Sequence, residues 1–353
     1  MDSLRVKPAF NKNNIAVVLS ADGNYVPYLA VTIKSIFDNA DPKYNYDVLV
    51  FDDGIKDHQK SMMELMVKSN CSIRYINVKE LLKDVDTSLF QARGIWSIAT
   101  FYRLFIPQVM SDYDRVLYLD CDILVKDSLV ELFKLDMKNA QVACVCDCLE
   151  YTKDKNRIRD CEKGLGLKDH RKYFNAGVVL FNISKIKYDD FKKRFFDVLQ
   201  NYKLPFLDQD ILNVIFEGKC KLIDLEWNYQ YHLLNTNPNL REFKKLDDAD
   251  KNPKIIHYTT GCKPWGHPEL AHSYEWWQVA RTVPFYEEII FRNTQISDLL
   301  LRNLVKYKSL ILKYSLSKLL RIASFGKFNR IISANCNKLH NQVKAVRAVF
   351  NGK

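Results

Sequence analysis

Arg115-Val116-Leu117-Tyr118-Leu119-Asp120-Cys121-Asp122-Ile123-Leu124-Val125 is the stretch from which the fold can be read. An apolar run ends at two carboxylates one residue apart, and apolar sequence then resumes. Residues 116–119 have the length and make-up of a buried parallel strand, which reads as a continuous apolar run rather than an alternating one. Open α/β sheets bind their ligands outside the carboxyl ends of such strands. Asp120 and Asp122 stand at that end. Two aspartates at i and i+2 on a bending chain can turn toward one hard cation, which prefers oxygen ligands. The plainer alternative is a surface Asp-x-Asp turn, and the surrounding sequence has to decide between them.

Upstream, residues 14–21 (NIAVVLSA) read as a strand closed by the turn-forming Asp22-Gly23-Asn24. Residues 25–40 carry apolar side chains at 26, 29, 33, 36 and 37, a helical period. Residues 47–51 are strand-like, 57–68 read as helix, and 72–78 alternate as a strand does. This β-α-β-α-β rhythm belongs to a parallel sheet with crossover helices. Residues 97–109 are expected to form a helix carrying Arg103. A short helix follows near 128–133, then a strand at 141–146 ending at Asp147. Between 149 and 172 charge is dense and periodicity poor, which predicts a long loop or mobile insertion. A strand at 174–182 opens with Asn175-Ala176-Gly177, and 184–201 form an amphipathic helix. Residues 208–213 start a helix with acid in its first turn. A short strand at 255–258 leads into His257-Tyr258-Thr259-Thr260-Gly261-Cys262-Lys263-Pro264-Trp265.

The 353 residues allow one large domain or two smaller ones, and an apolar fraction of 47% is enough for a sizeable core. The nine cysteines, an odd number, include Cys144, Cys146 and Cys148, which alternate as on a strand face and lack zinc-knuckle spacing. They read as small packing residues. Residues 1–10 carry charge and have no apolar core, so no secretory leader is expected, and free thiols in a reducing cytosol fit best. No run of eighteen apolar residues exists to span a membrane.

The net charge of +11 is uneven: residues 299–353 hold eight Lys and four Arg with no Asp or Glu, and +11 less 12 leaves −1 for residues 1–298. The basic character belongs to the tail, which argues against nucleic acid as the partner of the whole protein. In that tail Leu300, Leu304, Tyr307 and Ile311 share one helical face, with Arg302, Lys306 and Lys313 on another. A basic amphipathic segment reads as a membrane-surface element, each cation gaining about 1 kcal/mol near anionic lipid. The alternative is a helix packed on the folded domain with its basic face in water.

Six segments in order, SADGNY (20–25), ATFYRL (99–104), YLDCDILV (118–125), YFNAGVVLFN (173–182), DQDILN (208–213) and HYTTGCKPW (257–265), give the chain a family likeness. It resembles the retaining glycosyltransferases of family 8, which include bacterial galactosyl- and glucosyltransferases of lipopolysaccharide synthesis and, more distantly, glycogenin. The resemblance runs from about residue 14 to residue 265. It implies an α/β GT-A fold: a mixed, mostly parallel sheet, Rossmann-like in its first half and flanked by helices. The catalytic domain would occupy 1–289 and a basic helical tail 290–353.

The resemblance also implies a division of labour. Asp120, Asp122 and His257 would hold Mn2+ (or Mg2+), a mixed oxygen and nitrogen set that suits manganese better than calcium. Lys263 would pin the diphosphate of a UDP-hexose, with Thr260 and Gly261 in the same loop. The family usually places glycine three residues after the histidine; here Thr260 holds that place and Gly261 follows. Ala21, Asp22, Asn24 and Tyr25 would receive the uridine, and Arg103 would lie near the donor sugar or phosphate, as would Asp120. Asp147, Asn175, Asp208 and Gln209 match positions around the donor sugar and its anomeric carbon. A retaining enzyme can place a nucleophile on the far face of that carbon. The matching residue is Gln209, a poor nucleophile, so a front-face reaction is expected. Plainer roles stay open for several of these: a packed strand histidine, a solvated loop lysine, an ordinary Asp-Gly turn, a surface arginine.

The implied protein is a cytosolic enzyme, peripheral on the inner face of the cell membrane. It would move galactose or glucose from UDP to a glycan or glycolipid such as lipopolysaccharide core. The rivals are a glycogenin-like self-glucosylating protein and a basic lipid- or nucleic-acid-binding protein with an inactive transferase domain. The full set of Asp120, Asp122, His257 and Lys263 argues against the last.

Overall fold

A computed structural model of the chain describes residues 5–83, 85, 90, 98–148, 155–230, 249–259 and 261–294. Among the described residues, ten strands form two sheets. The first has seven, β1 (Asn14–Asp22), β2 (Asn45–Asp53), β3 (Cys71–Asn77), β4 (Arg115–Leu119), β6 (Val142–Cys146), β7 (Phe174–Asn182) and β8 (Cys220–Ile223), in the order β3-β2-β1-β4-β7-β6-β8. A second, of β5 (Ile123–Val125), β9 (Tyr229–Gln230) and β10 (Ile255–His257), runs β5-β10-β9. In the large sheet β7 alone runs against its neighbours β4 and β6, and every other pairing is parallel. The expected mixed, mostly parallel sheet is present.

The strand interiors explain why these segments pair. All nine residues of β7 and all five of β6 are buried, as strands covered on both faces require. Each buried Val, Leu or Phe contributes roughly 1.5–3 kcal/mol. Asp47, inside β2, is fully buried, yet it accepts hydrogen bonds from Arg74 at 2.8 Å and from the Ala9 N–H at 2.9 Å. Helices α1 (Val26–Asp38) and α2 (Asp57–Glu64) connect the first three strands, and α3 (Tyr188–Asn201) and α4 (Leu207–Ile215) follow β7. Rings of Phe191, Phe195 and Phe216 pack together in the core.

This topology gathers functional groups at one edge. Strand order reverses between β1 and β4, where open α/β sheets leave a crevice at the strands' carboxyl ends. β1 ends at Asp22 and β4 ends just before Asp120. Because β7 runs the other way, its first residues meet the end of β4: Leu119 pairs with Val178, and the Asp120 N–H donates to the Gly177 carbonyl at 2.9 Å. β6 ends at the same edge, and the Asp147 N–H donates to the Tyr173 carbonyl at 2.9 Å. Helix α1 holds the bend between the two aspartates. Its Thr32 hydroxyl lies 2.9 and 2.8 Å from the Cys121 and Ile123 carbonyls, and the Val125 N–H donates to Ser35 Oγ at 3.0 Å.

Several expectations are corrected. The helix expected at 97–109 is present from Ile98 onward but is not one α-helix: Ile98–Phe105 winds as a tighter 3-10 helix and only Ile106–Val109 is α-helical. Pro107 has no N–H to give the Arg103 carbonyl, and the Thr100 carbonyl accepts from Arg103 Nε at 3.0 Å. The stretch 149–172 is not loop throughout. Lys155–Arg159 is helical, Asp160–Gly164 a wider turn and His170–Lys172 a 3-10 turn, while 149–154 lie outside the described residues. The helix expected at 184–201 is a turn, Ile183–Lys185, followed by α3. Strands β5, β8 and β9 and helix α5 (Ser273–Ala280) were not anticipated.

The eight described cysteines form no disulfide, and Cys144, Cys146 and Cys148 are buried. No helix among the described residues is long and apolar enough to cross a membrane. Residues up to Tyr286 form one compact unit; Glu287–Lys353 form another, of which 287–294 are described. The basic segment 299–353 lies outside the described residues.

Candidate active site

A cavity of about 620 Å³ opens at the edge where β1, β4, β6 and β7 present their functional ends. Its wall includes Ala21, Asp22, Tyr25, Arg103, Asp120, Asp122, Asp147, Asn175, Asp208, Gln209, His257, Gly261 and Lys263. Of the candidates read from sequence, Asn24 is exposed on the turn and is not part of this wall, and Thr260 lies outside the described residues. Among the described residues, five aspartates against two cations, Arg103 and Lys263, line the space. So acidic a cavity repels a diphosphate until a cation offsets the carboxylates.

Among the described residues, Asp120, Asp122 and His257 form the one cluster of three whose ligand atoms all lie within 4.8 Å of one another. His257 Nε2 lies 3.2 Å from an Asp122 oxygen and 3.6 Å from an Asp120 oxygen. The strand pairing makes this convergence: β10 runs against β5 with His257 opposite Ile123, beside Asp122. The other ring nitrogen, Nδ1, lies 2.9 Å from Asn228 Oδ1. An amide oxygen only accepts, so Nδ1 carries a proton, and Nε2 is the ring nitrogen that faces the aspartates and is placed to ligate a cation. Hard carboxylate oxygens and one oriented imidazole suit Mn2+ or Mg2+. Gly177 supports the fit: a Cβ there would come within 2.2 Å of the His257 ring and 2.8 Å of an Asp120 oxygen, so only glycine leaves room for the cluster.

Charge is tightly distributed around this cluster. Lys263 Nζ donates to Asp122 Oδ2 and, at 2.5 Å, to the Tyr258 carbonyl. Burial works to raise the Asp122 pKa, but Lys263 and His257 outweigh it and hold the carboxyl well below the usual range. Arg103 is 5% exposed and bridges two carboxylates, Asp120 at 2.9 Å and Asp208 at 2.8 Å, while donating to the Ala176 carbonyl at 2.6 Å. Its guanidinium lies over the Tyr118 ring, and the Tyr118 hydroxyl donates to Asp120 at 2.8 Å. Burial pushes Asp208 up to about 6, against the pull of Arg103 and of the Thr100 hydroxyl that donates to it.

Gln209 has both ends of its amide engaged. Its oxygen accepts from the Ala176 N–H at 3.0 Å and from Asn175 Nδ2 at 3.2 Å. Its nitrogen donates to Asp147 Oδ2 at 3.0 Å and to the Tyr173 hydroxyl at 3.2 Å. Tyr173 passes its own proton toward Asp210 at 2.6 Å. Asn175 joins this network to the cluster of Asp120, Asp122 and His257, because its Oδ1 accepts from Asn228 Nδ2 at 2.9 Å and Asn228 Oδ1 faces His257 Nδ1. On the β1 side Asp22 Oδ1 accepts the Asn24 and Tyr25 N–H groups, both at 2.9 Å, which fixes the turn into α1. The Tyr25 ring meets Tyr28 and Trp265 edge-on, and Tyr28 stacks on Trp265 at 4.0 Å.

Sequence reasoning assigned no part here to Asn228, Gly177, Thr100, Tyr118, Tyr173 or Asp210. Tyr118, two residues before Asp120, was open to a period-two argument. Asn228, between Trp227 and Tyr229, gave no signal beyond being a polar residue in an apolar setting.

The family model for Glycosyl transferase family 8 matches residues 16–268. General stress protein A of Bacillus subtilis is 28% identical over 262 residues, covering 70% of this chain and 86% of its own. A lipopolysaccharide 1,2-glucosyltransferase of Escherichia coli is 30% identical over 253 residues, 69% of this chain and 71% of its own. The solved structure of the galactosyltransferase LgtC, in complex with donor and acceptor sugar analogs, matches with a TM-score of 0.63 at 26% identity, covering 76% of this chain and 96% of that one. The chain belongs to glycosyl transferase family 8 and has its GT-A fold.

Proposed function

We propose that this family 8 glycosyltransferase is a retaining, metal-dependent enzyme that moves galactose or glucose from UDP to a cell-surface glycan such as lipopolysaccharide core. The observation that carries this reading is the convergence of Asp120, Asp122 and His257 in one cavity with Lys263 and Gln209. A glucosyltransferase and a galactosyltransferase among the similar proteins support a hexose donor.

Asp120, Asp122 and His257 hold Mn2+ or Mg2+ in this reading. A cation held there would supply charge neutralisation for the diphosphate and Lewis-acid assistance to the departure of UDP. Lys263, a point charge on a flexible stem, pairs with the diphosphate. The turn at Ala21, Asp22, Asn24 and Tyr25 receives the uridine, and Thr260 and Gly261 belong to the loop that meets the phosphates. Arg103 stays on its two carboxylates and fixes Asp120 beside the donor.

Asp147, Asn175, Asp208 and Gln209 surround the donor sugar and read its hydroxyls by hydrogen bonds. An amide is a poor nucleophile, and both ends of the Gln209 amide are already engaged. The reaction is then front-face: the leaving phosphate oxygen takes the acceptor proton, and the fixed dipoles of Gln209 and Asn175 stabilise the oxocarbenium-like state. Incubation with UDP-galactose or UDP-glucose and Mn2+ should release UDP and give an α-linked product by NMR. A β-linked product, a sugar trapped covalently on Asp208 or Asp147, or UDP release indifferent to Mn2+ would count against it.

The basic segment 299–353 belongs to the proposal as an anionic-membrane anchor, holding the enzyme near a lipid-linked acceptor on the inner face of the cell membrane. Its charge pattern supports this. Deleting 299–353 should abolish sedimentation with anionic vesicles and spare UDP-sugar hydrolysis. Equal sedimentation of both chains would reject the anchor.

A further inference from the structure

A buried hydroxyl in the cavity wall is left without a role by everything above. Thr259 is 8% exposed, and its Oγ1 is buried with no hydrogen-bond partner. Buried polar groups are nearly always paired, so an orphan hydroxyl on a residue that lines a cavity points to a ligand. Ser20, in the same wall, also has an orphan hydroxyl but is less deeply buried as a residue.

Thr259 is distinguished by its neighbours. It stands two residues after His257 and four before Lys263. Its N–H folds back on the His257 carbonyl at 2.9 Å, a three-residue turn that bends the chain as it leaves β10. The Lys263 ammonium is anchored on the preceding carbonyl, that of Tyr258. The hydroxyl therefore belongs to a loop that carries the imidazole of the cation cluster at one end and a lysine at the other. A ligand atom that reaches Thr259 from this cavity lies among groups that manage negative charge, and such an atom accepts hydrogen bonds.

We infer that the Thr259 hydroxyl donates to a phosphate oxygen of the bound nucleoside diphosphate. This rests on the reading of the cavity as a UDP-sugar site. The side chain recognises the diphosphate by a directed O–H where Lys263 supplies charge alone, and the ligand-free protein bears an unpaired polar group as the cost.

Stability and affinity should therefore respond in opposite directions. Thr259→Val keeps the shape and removes the orphan O–H; Thr259→Ser keeps the O–H. Calorimetric titration of UDP in saturating Mn2+ should show binding to Thr259→Val weaker by roughly tenfold or more, the scale of a hydrogen bond to a charged group. Thr259→Ser should stay within about threefold of the parent, since its O–H remains. The ligand-free Tm of Thr259→Val should equal or exceed that of the parent, and Mn2+ binding without nucleotide should be unchanged. UDP affinity in Thr259→Val equal to the parent's would overturn the inference, as would a lowered Tm or lost Mn2+ binding in that variant, because the side chain would then be serving the loop or the cation site. If the parent chain itself fails to bind UDP with Mn2+, the UDP-sugar reading falls first and this inference with it.

Discussion

Gly177 and His257 approach so closely that a Cβ built on the glycine would stand 2.2 Å from the imidazole Cε1. β7 passes directly beneath the cation cluster, and the missing side chain is what lets the ring reach the aspartates. Gly177→Ala should therefore displace His257 or Asp120, at a cost of about 1–3 kcal/mol in stability. Mn2+ affinity should fall by roughly tenfold or more, the scale for disturbed support of a ligand. Thermal melts and Mn2+ titration by electron paramagnetic resonance test this. Parent-like values in both would mean that the ring has slack the structure does not suggest.

Asn228 orients His257 through Nδ1 and reaches Asn175 with its amide nitrogen. Asn228→Ala removes the acceptor that fixes the tautomer. Removing such a partner lowers metal affinity by about 10–100-fold. The same titration reads it, and unchanged affinity would show that backbone packing alone sets the ring.

Arg103 is the buried tie between Asp120 and Asp208. Burial disfavours its charge, but the two carboxylates more than compensate and keep the guanidinium protonated. Arg103→Met strands Asp208, which is 4% exposed, and should cost about 3–5 kcal/mol in urea unfolding. A loss below about 1 kcal/mol, the range of exposed ion pairs, would mean that the pair contributes little.

Asp210 gives a pH signature. It is fully buried, accepts from the Tyr173 hydroxyl and the Phe206 N–H, and burial pushes its carboxyl up to about 6, above the usual carboxylate range. A carboxyl whose folded pKa is raised holds its proton in the native state after the unfolded chain has lost it. Its contribution is complete below the unfolded pKa and is lost as pH rises through the folded one. Stability should thus fall between about pH 4 and 6, by on the order of 2–3 kcal/mol for this group. Asp208 adds in the same sense. Asp122, held low, is already ionised in both states over most of this window. Asp210→Asn should flatten the slope measured by urea unfolding at successive pH values. An unchanged slope would show that Asp210 ionises normally.

Much of the fold was legible because its signals were local. The buried runs of β1, β2, β4 and β7 need no partner to be recognised, and the β-α-β rhythm orders them. Strand β5 has three residues and β9 two, too few to show a period, and both exist because β10 lies between them. Lys155–Arg159 hid for another reason. The buried positions there, Arg157, Cys161 and Leu165, do fall at helical spacing, but an arginine fills the first of them. Its guanidinium lies between the rings of Tyr173 and Phe206, at 4.2 and 4.3 Å. In the site, the carboxylates and the histidine could be read from sequence because they fall inside the ordered segments that carry the family resemblance. Gly177, Asn228 and Thr259 could not, since a space, a second-nitrogen partner and an orphan hydroxyl are properties of the packed chain.

The central claim is that Asp120, Asp122 and His257 close on one divalent cation that also meets a nucleoside diphosphate. Titration of Mn2+ followed by electron paramagnetic resonance, with and without UDP, tests it most directly. The account predicts one site per chain, tightened by UDP, abolished by Asp122→Asn and weakened at least about tenfold by His257→Ala. Absence of a stoichiometric site in the parent chain, or a site that both variants retain unchanged, would contradict it.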